Sequence, residues 1–280
     1  MFADTHLKII NLYELDLKNA KNLSYMFYKS DSLLKAFLQE SNLNNVEDMS
    51  HMFELCKSLN EINLLNVNTN NLKNISYLFK ECISLNNINL NPLNLTYVKD
   101  MSYMFEDCFY LKYFEINKIN TNNVKNIPGI FKNCISLKSL DLSNFKFEET
   151  IDMSYMFYNM LSLKSIKFQY NVDTSKVKNM SHIFSYCSLL KEIDISLFNT
   201  KNVEDMSGMF LGCDFLTNLN ISNFVTDKVI DMSRLFEDCS SINIINVSNF
   251  NTFQVKNMSK MFVNCESLVK LMLDILIPKM

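Results

Sequence analysis

The chain has 280 residues, 48% hydrophobic and 20% charged, with a net charge of −3 at pH 7. That balance excludes a disordered chain and fits a soluble globular protein. Its 27 basic residues are scattered among 30 acidic ones and no basic stripe is visible, which argues against a nucleic-acid partner.

The N-terminus, MFADTHLKIINLYEL, lacks a basic start followed by a continuous apolar run, so no secretory signal is read there. From that point one unit recurs. Its anchor is a phenylalanine at Phe27, Phe53, Phe79, Phe105, Phe131, Phe157, Phe184, Phe210, Phe236 and Phe262, spaced by 26 residues except for one step of 27 after Phe157. Counting back from Phe27 reaches Met1, so the repeat fills the chain and predicts one solenoid domain over residues 1–280. Only three glycines and three prolines occur, where average usage gives about twenty and fourteen. One kind of connection is being reused.

Each unit opens with L-x-x-I-x-L, as in Leu59, Ile62, Leu64 and in Leu190, Ile193, Ile195. Its alternation predicts a strand with one buried face. The second part, V-x-x-M-S-x-M-F-x-x-C, puts Val46, Met49, Phe53 and Cys56 at helical spacing. Five residues before each anchor stands Asn or Asp, from Asn22 and Asp48 to Asp231 and Asn257, a fitting N-cap. The expectation is a short helix of two to three turns, or a 3₁₀-like version. Such a unit buries its apolar faces only by stacking on its neighbours. The predicted fold is therefore an α/β, right-handed solenoid of about 10–11 repeats, with a parallel β-sheet on the concave side and short helices on the convex side.

The strand pattern resembles the leucine-rich repeat. The fuller pattern, C-x-S-L-x-x-I-x-L-S-x-F-x-T-x-x-V-x-x-M-S-x-M-F, is similar to the 26-residue repeat of the BspA-like surface-protein family. The resemblance covers the whole chain. It implies a curved solenoid that binds proteins or host surfaces, without catalytic residues. Where the common leucine-rich repeat carries Asn or Cys, this chain has Val67, Leu93, Ile119, Phe145, Phe198, Phe224 and Phe250, so an apolar spine is expected. Pro128-Gly129 interrupts one helix start, and the extra residue near Asn171–Thr174 must bulge.

All the cysteines, Cys56, Cys82, Cys108, Cys134, Cys187, Cys213, Cys239 and Cys265, lie three residues after an anchor. No two are closer than 26 residues, whereas zinc sites need close pairs. A buried ladder of free thiols is expected, with no metal and no cofactor. His51 and His182 share a column with Tyr25, Tyr77, Tyr103 and Tyr155; a catalytic histidine needs a partnered nucleophile or acid at a unique position, none is read for these two or for His6, and the reading is not an enzyme. The N-x-S/T triplets at Asn22, Asn74, Asn94, Asn179, Asn220, Asn246 and Asn257 are weak glycosylation signals, since four coincide with the cap position.

Most outward strand positions carry Asn, Ser or Asp, among them Asn63, Asn89, Asp194, Asn220 and Asn246, with Asn117 in the next outward column. The break in this polar carpet is Lys112, Tyr113, Glu115 and Asp141, with Lys167 alongside, the candidate surface for a protein partner. The function read is a recognition module, as a surface adhesin or host- or matrix-binding protein; the alternative is an intracellular scaffold for a regulatory protein. The apolar tail from Leu271 to Ile277 contains Asp274 and is too short to insert into a membrane. Uncapped ends would invite end-to-end association. Either the tail DILIPKM folds over the last coil or the chain is a segment of a longer protein, the second being favoured at the N-terminus.

Overall fold

Alternation in L-x-x-I-x-L gives short strands that turn every second side chain inward. The computed structural model describes residues 2–116 and 120–273; Asn117, Ile119 and the tail 274–280 lie outside the described residues. The strands are Ile9–Asn11 (β1), Lys35–Phe37 (β2), Glu61–Asn63 (β3), Asn87–Asn89 (β4), Tyr113–Glu115 (β5), Ser139–Leu142 (β6), Ser165–Phe168 (β7), Glu192–Ile193 (β8), Asn218–Leu219 (β9), Ile244–Asn246 (β10) and Lys270–Met272 (β11). They pair in parallel as β1-β2-β3, β4-β5, β6-β7, β8-β9 and β10-β11. Register advances one repeat per step, with Ile9 opposite Lys35, Lys35 opposite Glu61 and Ser139 opposite Ser165. The molecule is a parallel β-solenoid of about ten turns.

The expected helices are absent from the described residues, whose one helical element is a 3₁₀ turn at Leu12–Glu14. Every N–H from Met49 to Cys56 shows why. Met49, His51, Phe53 and Leu55 donate to the carbonyls of Asn74, Ser76, Leu78 and Lys80 in the next coil. Met52, Glu54 and Cys56 instead close turns onto Met49, His51 and Phe53, while Ser50 donates to Asp48 Oδ1. Half the donors thus run along the stack, where a helix would point them at residue i−4. The price is backbone conformation: the residues two before and two after each anchor have positive φ, as at His51 (58°) and Leu55 (64°). Such residues stand third in the turns Met49–Met52 and Phe53–Cys56, as type II turns require. All three glycines, Gly129, Gly208 and Gly212, fall in these two columns, where the missing Cβ removes the penalty.

The column expected to cap helices caps these turns. Asn22, Asp48, Asn74, Asp100, Asp152, Asn179, Asp205, Asp231 and Asn257 each accept the N–H two residues on, at 2.7–3.1 Å. Asn126 is the exception because Pro128 has no N–H to give. The same column forms an unbroken row of parallel bridges from Asn22 to Asn257.

Between the two ladders lies the core. The anchor rings stack face to face from Phe27 to Phe262, with centroids 5.4–6.3 Å apart. Phe157 and Phe184 stack at 5.5 Å, so the extra residue between them does not disturb the core. Val67, Leu93, Phe145, Phe198, Phe224 and Phe250 are buried and make the apolar spine.

Candidate functional site

Outward positions of the strand face have a structural duty in most coils. Asn63, Asn89, Asp141, Asp194, Asn220 and Asn246 each accept the N–H two residues on, at 2.9–3.2 Å, closing the strand into the following turn. This is an Asx-turn, which short carboxylates and amides form readily. The Ser143 hydroxyl and N–H, with Lys167 beside them, hold the Asp141 carboxyl below its usual range; Ser196 does the same for Asp194. Each of the seven N-x-S/T asparagines likewise accepts the N–H two residues on.

Glu115 and Lys167 occupy this column without Asx chemistry. Lys167 reaches back to Asp141 at 3.5 Å. Lys112 and Glu115 are exposed, and Tyr113 is 70% exposed on the face of β5. The five predicted residues thus share the outer face of β5, β6 and β7 or its margin, with one ion pair among them. Bare aromatic surface beside charges is the composition of a contact point.

Sequence reading missed the ground beyond Lys167. A depression of about 760 Å³ is lined by Ile166, Phe168, Tyr170, Val172, Asp194 and Leu197. Tyr170 is 93% exposed and Leu197 half exposed. A second hollow of about 660 Å³ shares Ile166 and Asp194 and extends to β9. The depression lies where the single 27-residue repeat places its extra residue, and that irregular step was the available signal.

The thiols are turned into the stack. Seven cysteines are buried and Cys265 half-buried, and each Sγ lies 3.0–3.2 Å from the carbonyl oxygen of the anchor phenylalanine one coil earlier. Burial pushes the Cys56 and Cys187 thiols up to about 12. His51 and His182 lie on the turn face, where, against the sequence expectation, each has a polar partner: His51 Nδ1 is 2.5 Å from Glu54 Oε2 and His182 Nδ1 is 3.0 Å from Ser185 Oγ. His51 stacks between Tyr25 and Tyr77, at 4.3 and 4.6 Å, and His182 on Tyr155 at 4.9 Å. Among the described residues no group of three His, Cys, Asp or Glu could hold a metal ion, and no helix is long and apolar enough to cross a membrane.

The fold is shared with known solenoids. A leucine-rich repeat protein from Eubacterium ventriosum matches with a TM-score of 0.50 at 17% identity, over 87% of this chain and 62% of that one. A T. pallidum leucine-rich repeat protein matches at 0.48 and 21%, over 66% of this chain and 78% of that one. One from Bacteroides ovatus matches at 0.46 and 18%, over 89% and 63%. No curated protein matches the sequence. The family described as "Mycoplasma protein of unknown function, DUF285" matches three overlapping stretches, residues 1–113, 87–193 and 179–274. The chain belongs to that family.

Proposed function

We propose that this protein is a non-enzymatic recognition module whose strand face binds a protein partner around Lys112, Tyr113, Glu115, Asp141 and Lys167. The observation that carries this reading is the interruption of the Asx column at Glu115 and Lys167, where long charged side chains replace turn-closing residues beside bare Tyr113. Glu and Lys lack the short acceptor side chain that forms an Asx-turn, and Lys167 makes an exposed ion pair with Asp141 instead, so a surface role accounts for both.

The resemblance to the BspA-like repeat favours an adhesin at the cell surface. Eight free thiols favour the second reading, an intracellular scaffold, because reducing compartments keep cysteines unpaired. Protease accessibility of the protein on intact cells separates the two. Cleavage before lysis supports the adhesin, and protection until lysis supports the scaffold. The site itself is tested by partner binding of a Tyr113→Ala/Glu115→Gln double variant. At least tenfold weaker binding with an unchanged melting temperature is expected, and undiminished binding would overturn the assignment.

A further inference from the structure

Basic residues that are scattered along the sequence are collected by the stack. Lys112, Lys138, Lys164 and Lys191 each stand seven residues after an anchor, in four consecutive coils. All four are exposed. The Lys164 N–H donates to the Lys138 carbonyl at 2.8 Å, so these two are immediate neighbours along the stack. Coils advance by about 4.8 Å, which makes the row about 14 Å long. The absence of a basic stripe, read from the linear sequence, is corrected by the fold.

Elsewhere neighbouring coils set opposite charges together. Lys35 meets Glu61 at 2.7 Å, Lys132 meets Glu106 at 2.7 Å and Lys178 meets Glu204 at 3.0 Å. Among the described residues none of the four lysines of the row has an ion-pair partner. A shorter row, Lys73, Lys99 and Lys125, differs in that Lys73 pairs with Glu47 at 2.7 Å; an acidic residue adjoins one lysine of each row, Asp100 beside Lys99 and Glu192 beside Lys191. Between the cysteine column and the four-lysine row, the stretches 108–112, 134–138, 160–164 and 187–191 hold no acidic residue. Stacked like charges oppose folding, so this row works against the solenoid that carries it.

On the turn side of the row three of the four coils carry an exposed apolar residue, Tyr110 at 59%, Leu161 at 43% and Leu189 at 39%, with Ser136 and Ser162 between them. We propose that this strip binds an extended acidic segment of the protein partner, in which acidic and apolar residues alternate. The inference rests on the protein-recognition reading above and names the chemistry of the partner. An extended chain sends successive side chains to opposite sides at about 3.3 Å per residue. Laid along the stack, four or five such residues would point carboxylates at the lysines and apolar side chains at Tyr110, Leu161 and Leu189. A sulfated glycan would satisfy the lysines and leave those three apolar residues uncovered.

The test uses the full chain and a labelled peptide, acetyl-EVEVEVE-amide, followed by fluorescence anisotropy at 50 and 300 mM salt. Lys138→Glu and Lys164→Glu are compared singly with wild type, each with a urea melt. Binding should weaken at least tenfold in either variant and at least threefold between the two salt concentrations. The urea midpoint of each variant should rise, because each change turns two repulsive contacts into attractive ones. The peptide ESESESE and a sulfated hexasaccharide should both bind more weakly than EVEVEVE. Equal binding by the variants, a lowered urea midpoint, or tighter binding of the hexasaccharide would each overturn the proposal. The peptide measurement is independent of Tyr113 and Glu115. Loss of the natural partner in the Tyr113/Glu115 variant with no peptide binding by wild type would therefore sink this inference and leave the recognition reading standing.

Discussion

The thiol of Cys134 donates to the carbonyl oxygen of Phe105, 3.2 Å away and one coil earlier. The same carbonyl accepts the N–H of Cys108 within its own coil, so the cysteine links a turn to its neighbour as well as filling space. In the first coil Ser30 sits in the cysteine column and its hydroxyl donates to Phe2 at 3.0 Å. A hydroxyl therefore satisfies the position. Cys134→Ala, which removes both the donor and its packing, should cost about 1–2 kcal/mol. Cys134→Ser should cost less, and urea midpoints of the two variants decide the order.

Thiol burial fixes a response to alkali. A thiol whose pKa is higher folded than unfolded stabilises the fold fully below its unfolded value and loses that contribution as pH rises. For Cys56 and Cys187 the window runs from the ordinary value of 9.0 to about 12. Stability should hold to about pH 9 and fall above it. In native protein a thiol reagent should modify half-buried Cys265 first, leaving the buried seven for the unfolded chain.

Positive φ predicts two opposite substitutions. At Gly208 (φ 57°) an added Cβ would lie 2.4 Å from the His182 ring, so Gly208→Ala should destabilise by about 1–2 kcal/mol. Exposed Lys29 has φ 59° with a full side chain. Lys29→Gly should stabilise by about 0.5–1 kcal/mol, the relief of the left-handed conformation less the added freedom of the unfolded chain. Paired denaturation curves test both signs; a helix at this segment would make Lys29→Gly destabilising.

His182 gives an acid response. Burial, opposed in part by Asp205, holds its imidazole below the ordinary 6.5. A histidine depressed in the folded state stabilises the fold above its unfolded value and loses that contribution as pH falls. Stability should therefore decline below about pH 6.5. His182→Tyr, the residue found at the equivalent Tyr155, should flatten that decline in urea melts between about pH 5 and 7.

Phe131→Ala opens the continuous ring stack at a fully buried link. A loss of about 3–5 kcal/mol is expected. Thermal denaturation measures it.

Period, strand register and apolar spine were all legible because stacking forces each column to solve one packing problem repeatedly. The helix was misread for a physical reason. Val46, Met49, Met52 and Cys56 recur at three or four residues, and tandem turns turn the same positions inward as a short helix does. The discriminating signal was in the column two after the anchor, where Asn133, Asn159, Gly212, Asp238 and Asn264 are residue types that tolerate positive φ. The break at Tyr113 and Glu115 stood out against the polar carpet. The hollow beside Tyr170 did not, because it depends on how the longer repeat folds.

The most direct test of the strand-face assignment places a photoreactive p-benzoylphenylalanine at position 113 or at position 25 of the intact protein in its native cells. Tyr113 is on the strand face and Tyr25 on the turn face. Position 113 should yield one discrete protein adduct that disappears with Glu115→Gln, and position 25 should yield none. The same adduct from both positions, or an adduct from position 25 alone, would contradict the account.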